Sequence, residues 1–178
     1  SLELAANDCP MVIAYDMNRL TLWLMQRAAR IDTVTLVNLV SDTRVVPEFI
    51  GKNCRAELIS PALEALIADI HETGKQQRYT IHTVFCGGGT PSLYSPQQID
   101  RVFQACREAF NWKPVEVTIE ANPGTVTAES LQGYHDIGIH RISLGVQALQ
   151  ERLLQSLNRI HSPADVSQAV QWARQAGY

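Results

Sequence analysis

Cys86-Gly87-Gly88-Gly89-Thr90-Pro91-Ser92 follows directly on the strand-like run Ile81–Phe85. A short apolar run that ends in consecutive glycines reads as a strand opening into a ligand-cradling loop. Glycines permit positive φ and leave amide hydrogens unobstructed for a carboxylate or a phosphate. In α/β folds, ligands gather where parallel strands end, and this loop stands at such an end. The stretch is neither Gly-x-Gly-x-x-Gly nor a Gly-Lys-Ser phosphate loop, so an ordinary nucleotide site is not indicated. A plain tight turn is the competing reading of the same glycines.

Downstream, strand and helix signals alternate at regular spacing. Ser95-Pro96 caps a helix running to about Phe110, and Val115–Glu120 is the next strand. Asn122-Pro123-Gly124 turns the chain, Thr127-Ala128-Glu129-Ser130 starts a helix, and Gly138 stops it. Arg141–Gly145 is a third strand. Helices near Gln150–Asn158 and Pro163–Gln175 close the sequence, with Gly177 as a C-cap. Strands separated by helices imply parallel pairing through crossovers. The expected fold is therefore α/β with mostly parallel strands, as a partial (β/α) barrel or a three-layer sandwich. Open strand edges would favour self-association.

Upstream, Met11–Tyr15 reads as a strand, Leu20–Arg30 as a helix and Thr33–Leu39 as a strand. Pro47 breaks the chain. Leu58, Ala62, Leu66, Ile67 and Ile70 carry helical spacing, with Ser60 as the expected cap and Pro61 as the first residue. The polar stretch from His71, with Gly74 inside it, is the best linker. The expected division is 1–70, a linker over 71–79, and 80–178.

Composition narrows the function. A net charge of −3 with scattered lysines and arginines provides no basic field for nucleic acid. No apolar run approaches the ~20 residues that span a bilayer. The segment between Arg19 and Arg30 either packs on a sheet or rests on a membrane surface, so peripheral membrane contact is open for the first block only. Ser1-Leu2-Glu3 lacks a basic leader, and no secretory signal is expected. Cys9, Cys54, Cys86 and Cys106 form no Cys-x-x-Cys pair, and reduced cysteines in a cytoplasmic protein are expected.

Glu120 closes the second of the later strands, and Gln147 follows the third. Parallel pairing would bring both to the rim that carries the glycines. An acid and an amide there can together recognise ammonium and hydroxyl groups. Arg159 can pair bidentately with a carboxylate, although an isolated arginine is as often a solvated surface residue. Gln147 as a helix-start residue and Glu120 as a satisfied strand-end carboxylate are the plainer readings. His161 reads as loop or core packing.

The runs Phe85–Ser92, Ile119-Glu120-Ala121-Asn122-Pro123-Gly124-Thr125, Ile142-Ser143-Leu144-Gly145-Val146-Gln147 and Leu157-Asn158-Arg159-Ile160-His161 stand in a familiar order. Together they resemble the radical S-adenosylmethionine family of oxygen-independent coproporphyrinogen III oxidases, and most of all its haem-chaperone branch. The resemblance implies a partial (β/α) barrel binding a [4Fe–4S] cluster and S-adenosylmethionine. It places Gly88 and Gly89 at the methionine end, Glu120 and Gln147 on amino or ribose groups, and Arg159 on the carboxylate, with Gly87 and Thr90 also counted in the cofactor-binding set. The family's Cys-x-x-x-Cys-x-x-Cys is missing upstream of the glycines. A cluster with an open iron requires three thiolates, so the [4Fe–4S] group is expected to be absent and cofactor binding weak.

The first block resembles the C-terminal part of lipid-A-disaccharide synthase, a glycosyltransferase of two Rossmann-like domains. Ser1–Ala5, Pro10–Tyr15, Val37–Val40 and Val46-Pro47-Glu48-Phe49 carry that resemblance. It implies a nucleotide-sugar site at Glu3, Asn38 and Glu48, although Ile50-Gly51 depart from the family's pattern and the acceptor half is missing. A chimera of two incomplete enzymes, inactive as either, accounts for both resemblances. A self-assembling α/β domain without catalysis is the remaining alternative.

Overall fold

The computed structural model describes residues 13–15, 48–50, 56–87 and 90–178. Strands β1 (Ile13–Tyr15) and β2 (Glu48–Ile50) pair in parallel, with Ile13 opposite Glu48 and Tyr15 opposite Ile50. β1 falls inside the expected strand. β2 begins at Glu48, which follows Pro47 in the sequence. The expected helix Leu20–Arg30 and strand Thr33–Leu39 lie outside the described residues.

Helix α1 (Ala56–Gln76) is longer than expected at both ends. It begins at Ala56 rather than at Pro61, which sits inside it. Proline there removes one bond within the second turn, a loss confined to the N-terminal end of a long helix. The stretch read as a linker is helical through Gln76, with Lys75 pairing to Glu72 at 3.0 Å. Its polarity marks a solvent-facing helix surface rather than a break. Buried Ile70, with Leu66 and Ile67 beside it, packs against Ala105 and Phe110 at the far side of the next helix.

The second sheet has the order β3-β4-β5, with all neighbours parallel. β3 (Thr80–Cys86) leads through helix α2 (Pro96–Ala109) into β4 (Asn111–Ala121). β4 leads through helix α3 (Ala128–Asp136) into β5 (Arg141–Leu144). Helices α4 (Glu151–Ser156) and α5 (Pro163–Ala176) follow. The helix starts are written locally. Ser95, Thr127 and Ser162 each form a capping box with the residue three positions on. Gly138 at φ 97° and Gly177 at φ 103° lie just past the ends of α3 and α5, where the sequence expects stops.

The strands alternate between two faces. Val84, Cys86, Val117, Ile119, Ala121, Ile142 and Leu144 meet Ile99 and Phe103 of α2, Leu131 and Tyr134 of α3, and Ala169 and Ala173 of α5. Trp112 and Trp172 pack against this same core. The opposite face carries Phe85, Glu116, Thr118, Glu120, Arg141 and Ser143, aligned across the strands by register. Among the described residues the core helices meet one face only. That is the arrangement of an open barrel segment, and it favours the barrel over the three-layer alternative.

Candidate functional site

The polar face of the sheet ends in a cleft of about 280 Å³ at the C-terminal ends of the strands. Thr90 lines it from the loop after β3, and Glu120, Ala121 and Asn122 from the end of β4. Ser143, Leu144, Gly145 and Gln147 enter from the end of β5, and Arg159 from beyond α4. Register explains the centre of this arrangement, because Glu120 stands opposite Ser143 on neighbouring strands. Glu120 and Arg159 give the cleft one carboxylate and one guanidinium.

Hydrogen bonds tie the contributing loops together. Tyr134 is buried and donates its hydroxyl to the Tyr94 carbonyl at 2.6 Å, anchoring the segment after β3. Ser92 and Thr125 share a 2.5 Å hydroxyl contact, and the Thr125 hydroxyl donates to the Asn122 carbonyl at 3.0 Å. The loop after β3 and the turn after β4 are thus one braced unit. Gly145 N–H donates to the Ala121 carbonyl at 2.8 Å, which continues the ladder beyond β5. His161 is buried and directs Nε2 at the Val146 carbonyl, 3.1 Å away. It is a buried packing residue of the loop after α4, as its position in sequence suggests.

Gln147 adopts φ 65°, in the left-handed region that a side chain other than glycine occupies at a cost of about 1 kcal/mol. The residue is held there by the bonded stretch around it and lines the cleft. It is a loop residue and not a helix start, since α4 begins at Glu151.

Thiol chemistry is muted near the cleft. Burial, reinforced by nearby Cys106, pushes the Cys86 thiol up to about 12. Burial likewise raises Cys106 to about 11, with Arg107 acting in the opposite direction. Both shifts disfavour the thiolate, and a protonated thiol is a poor nucleophile. Among the described residues, no group of three or more His, Cys, Asp or Glu side chains is placed to hold a metal ion.

The structure therefore gathers Thr90, Glu120, Gln147 and Arg159 into one cleft. Arg159 is half-buried rather than a free surface arginine. Gly87 immediately follows β3 but is not among the lining residues, and Gly88 and Gly89 lie outside the described residues. Of the residues assigned to a nucleotide-sugar site, Glu48 lies in β2, while Glu3 and Asn38 fall outside the described residues. Asn122, Ser143 and Gly145 line the cleft without having been singled out as site residues. Ser143 was discoverable from alternation, being the polar residue between inward-facing Ile142 and Leu144. Asn122 carried only a turn signal, so its place in the cleft is visible in three dimensions alone.

Comparison with known proteins separates the chain into two matches. The family model of the Radical SAM superfamily matches residues 59–178, and that of lipid-A-disaccharide synthetase matches residues 1–94. Each covers more than half of the 178 residues, so the chain belongs to the radical SAM superfamily through its C-terminal part and to the lipid-A-disaccharide synthetase family through its N-terminal part. The two ranges share residues 59–94, which hold most of α1 and all of β3. The heme chaperone HemW of Haemophilus influenzae is 42% identical over 118 residues, covering 65% of this chain and 30% of that protein. Lipid-A-disaccharide synthase of Ruegeria pomeroyi is 48% identical over 99 residues, covering 56% of this chain and 25% of that one. In fold, the chain is similar to the radical SAM enzyme coproporphyrinogen III oxidase (HemN) of Escherichia coli. The TM-score is 0.66 at 23% identity, over 74% of this chain and 30% of that one. The chain thus spans less than a third of the length of each of these relatives.

Proposed function

We propose that residues 59–178 form the S-adenosylmethionine-cradling part of a HemW-like protein, and that this chain binds the cosubstrate without cleaving it. The observation that carries this reading is the convergence of Glu120, Gln147, Thr90 and Arg159 on one cleft. S-adenosylmethionine presents an ammonium, a carboxylate and ribose hydroxyls. A single carboxylate and a single guanidinium across one cleft match the zwitterionic end, with the amide and hydroxyl left for the remaining groups.

The [4Fe–4S] cluster supplies the electron for reductive cleavage in radical SAM chemistry. The described residues do not fit it. Among the described residues no group of three or more His, Cys, Asp or Glu side chains is placed to hold a metal, and the four cysteines of the sequence lack the Cys-x-x-x-Cys-x-x-Cys spacing. We derive no step through the cluster. For the N-terminal part, the parallel β1–β2 pair is compatible with a Rossmann-like fragment, and glycosyl transfer is not assigned to it. The packing of α1 on α2 supports a boundary between the two parts before Ala56.

Calorimetric titration of the whole chain tests the reading. Binding of S-adenosylmethionine is expected with Kd on the order of 100 µM, roughly 5.5 kcal/mol. A flat titration up to millimolar ligand removes the proposal. Anaerobic iron–sulfur reconstitution is expected to leave the protein colourless, and a stoichiometric cubane spectrum would overturn the claim that it cannot cleave.

Gln147 offers an opposing pair of effects. Gln147→Gly removes both the left-handed strain and the side chain that lines the cleft. Stability by urea denaturation is expected to hold or to rise by up to about 1 kcal/mol. Affinity is expected to fall about tenfold, the worth of one hydrogen bond with its desolvated partner. A variant that loses stability and keeps affinity contradicts the assignment.

A further inference from the structure

Asn122 touches every loop of the cleft at once. Its Nδ2 donates to the Thr90 hydroxyl at 3.3 Å, and its Oδ1 accepts from the Arg159 guanidinium at 3.5 Å. Thr90 is buried at 4% exposure, so its hydroxyl has little water to turn to and the contact is sheltered. The orientation of the amide follows from these partners. Rotated by half a turn, it would set its own NH2 against a guanidinium that can only donate. On the third side, Gly145 leaves room for the amide, because a Cβ there would stand 2.9 Å from Asn122 Oδ1.

We propose that Asn122 is a positioning residue that aims Arg159 into the cleft and so sets the preference for ligands carrying a carboxylate. This rests on the S-adenosylmethionine reading above. An arginine has four rotatable bonds and loses considerable freedom on being fixed. A neutral acceptor at its back fixes the fork without neutralising it, whereas a carboxylate in the same place would compete with the ligand for the guanidinium. Gly145 belongs to the same device, since any side chain there displaces the amide that holds the arginine.

Two readouts on the whole chain decide the matter. The first needs no ligand. The guanidinium N–H signals of Arg159, assigned by their loss in Arg159→Lys, are expected to exchange slowly in the parent protein and to broaden in Asn122→Ala. Unchanged exchange in that variant overturns the proposal. The second compares S-adenosylmethionine with 5′-methylthioadenosine, which lacks the amino-acid end. Asn122→Ala is expected to weaken the first about tenfold and to leave the second unaltered, with Asn122→Asp producing a larger selective loss. Gly145→Ala is expected to reproduce the alanine effect and to add little to it when combined. Equal weakening of both ligands reduces Asn122 to a structural residue and overturns the proposal. If Asn122→Ala does not fold, the near-isosteric Asp variant carries the ligand comparison. Its carboxylate would pair with Arg159, so the guanidinium signals are expected to exchange no faster than in the parent, and faster exchange overturns the proposal. A parent protein that binds neither compound refutes the cosubstrate reading, while the exchange measurement still decides what Asn122 holds.

Discussion

Gly74→Ala is expected to destabilise the protein by about 1–3 kcal/mol, against the sign that helix propensity gives. Alanine in a helix interior gains about 1 kcal/mol over glycine, so an isolated α1 would become more stable. The tertiary environment reverses this. A Cβ at Gly74 would fall 2.6 Å from Ala109 Cβ, 2.8 Å from its carbonyl oxygen and 2.9 Å from its Cα. Backbone atoms cannot rotate away, so the helices must part. The layer they enclose, with Ile70, Ala105 and Phe110, would open with them, as would the exposed Arg101–Glu64 pair at 2.7 Å. Urea denaturation measures the change, and Asp69→Ala on an exposed part of the same helix serves as a control within about 0.5 kcal/mol. A stabilised Gly74→Ala would mean that α1 does not dock on α2, and the domain boundary would have to move back toward residue 71.

The elements from β3 onward were legible because each is announced locally. Ser95-Pro96, Thr127 and Ser162-Pro163 carry the cap chemistry of their helices, and apolar alternation marks β4 and β5. β4 nevertheless begins at Asn111, four residues before the expected Val115, since Asn111 and Trp112 pair with Thr80 and Ile81 across the sheet. No single-strand pattern encodes that pairing. The extent of α1 was hidden for a similar reason. Pro61 and the polar run from His71 read as a start and a break, yet packing on α2 outweighs one lost backbone bond. At the site, Glu120 and Gln147 could be placed from parallel pairing alone. Arg159 could not, because its approach depends on the turn at Asn158, φ 52°, that no periodicity reveals.

Arg159→Ala is expected to weaken S-adenosylmethionine binding by roughly 10- to 150-fold, the range of a charge-assisted hydrogen bond worth about 1.5–3 kcal/mol. Half-buried in the cleft wall, this guanidinium faces a carboxylate with less screening than a surface pair would have. Arg159→Lys keeps the charge but loses the planar fork, so an intermediate loss is expected. Glu120→Gln removes the anion opposite and is expected to cost about tenfold through the ligand's ammonium. The ligand's ammonium and carboxylate are fixed on one carbon, and the two protein groups must therefore act as a pair. Arg159→Ala combined with Glu120→Gln should lose less than the sum of the single effects, because a zwitterion already released at one end gains little from the other. The same variants should bind 5′-methylthioadenosine as the parent does. If Arg159→Ala weakens both ligands alike, the cleft recognises the nucleoside and not the amino acid, and the orientation argued for the cosubstrate is reversed.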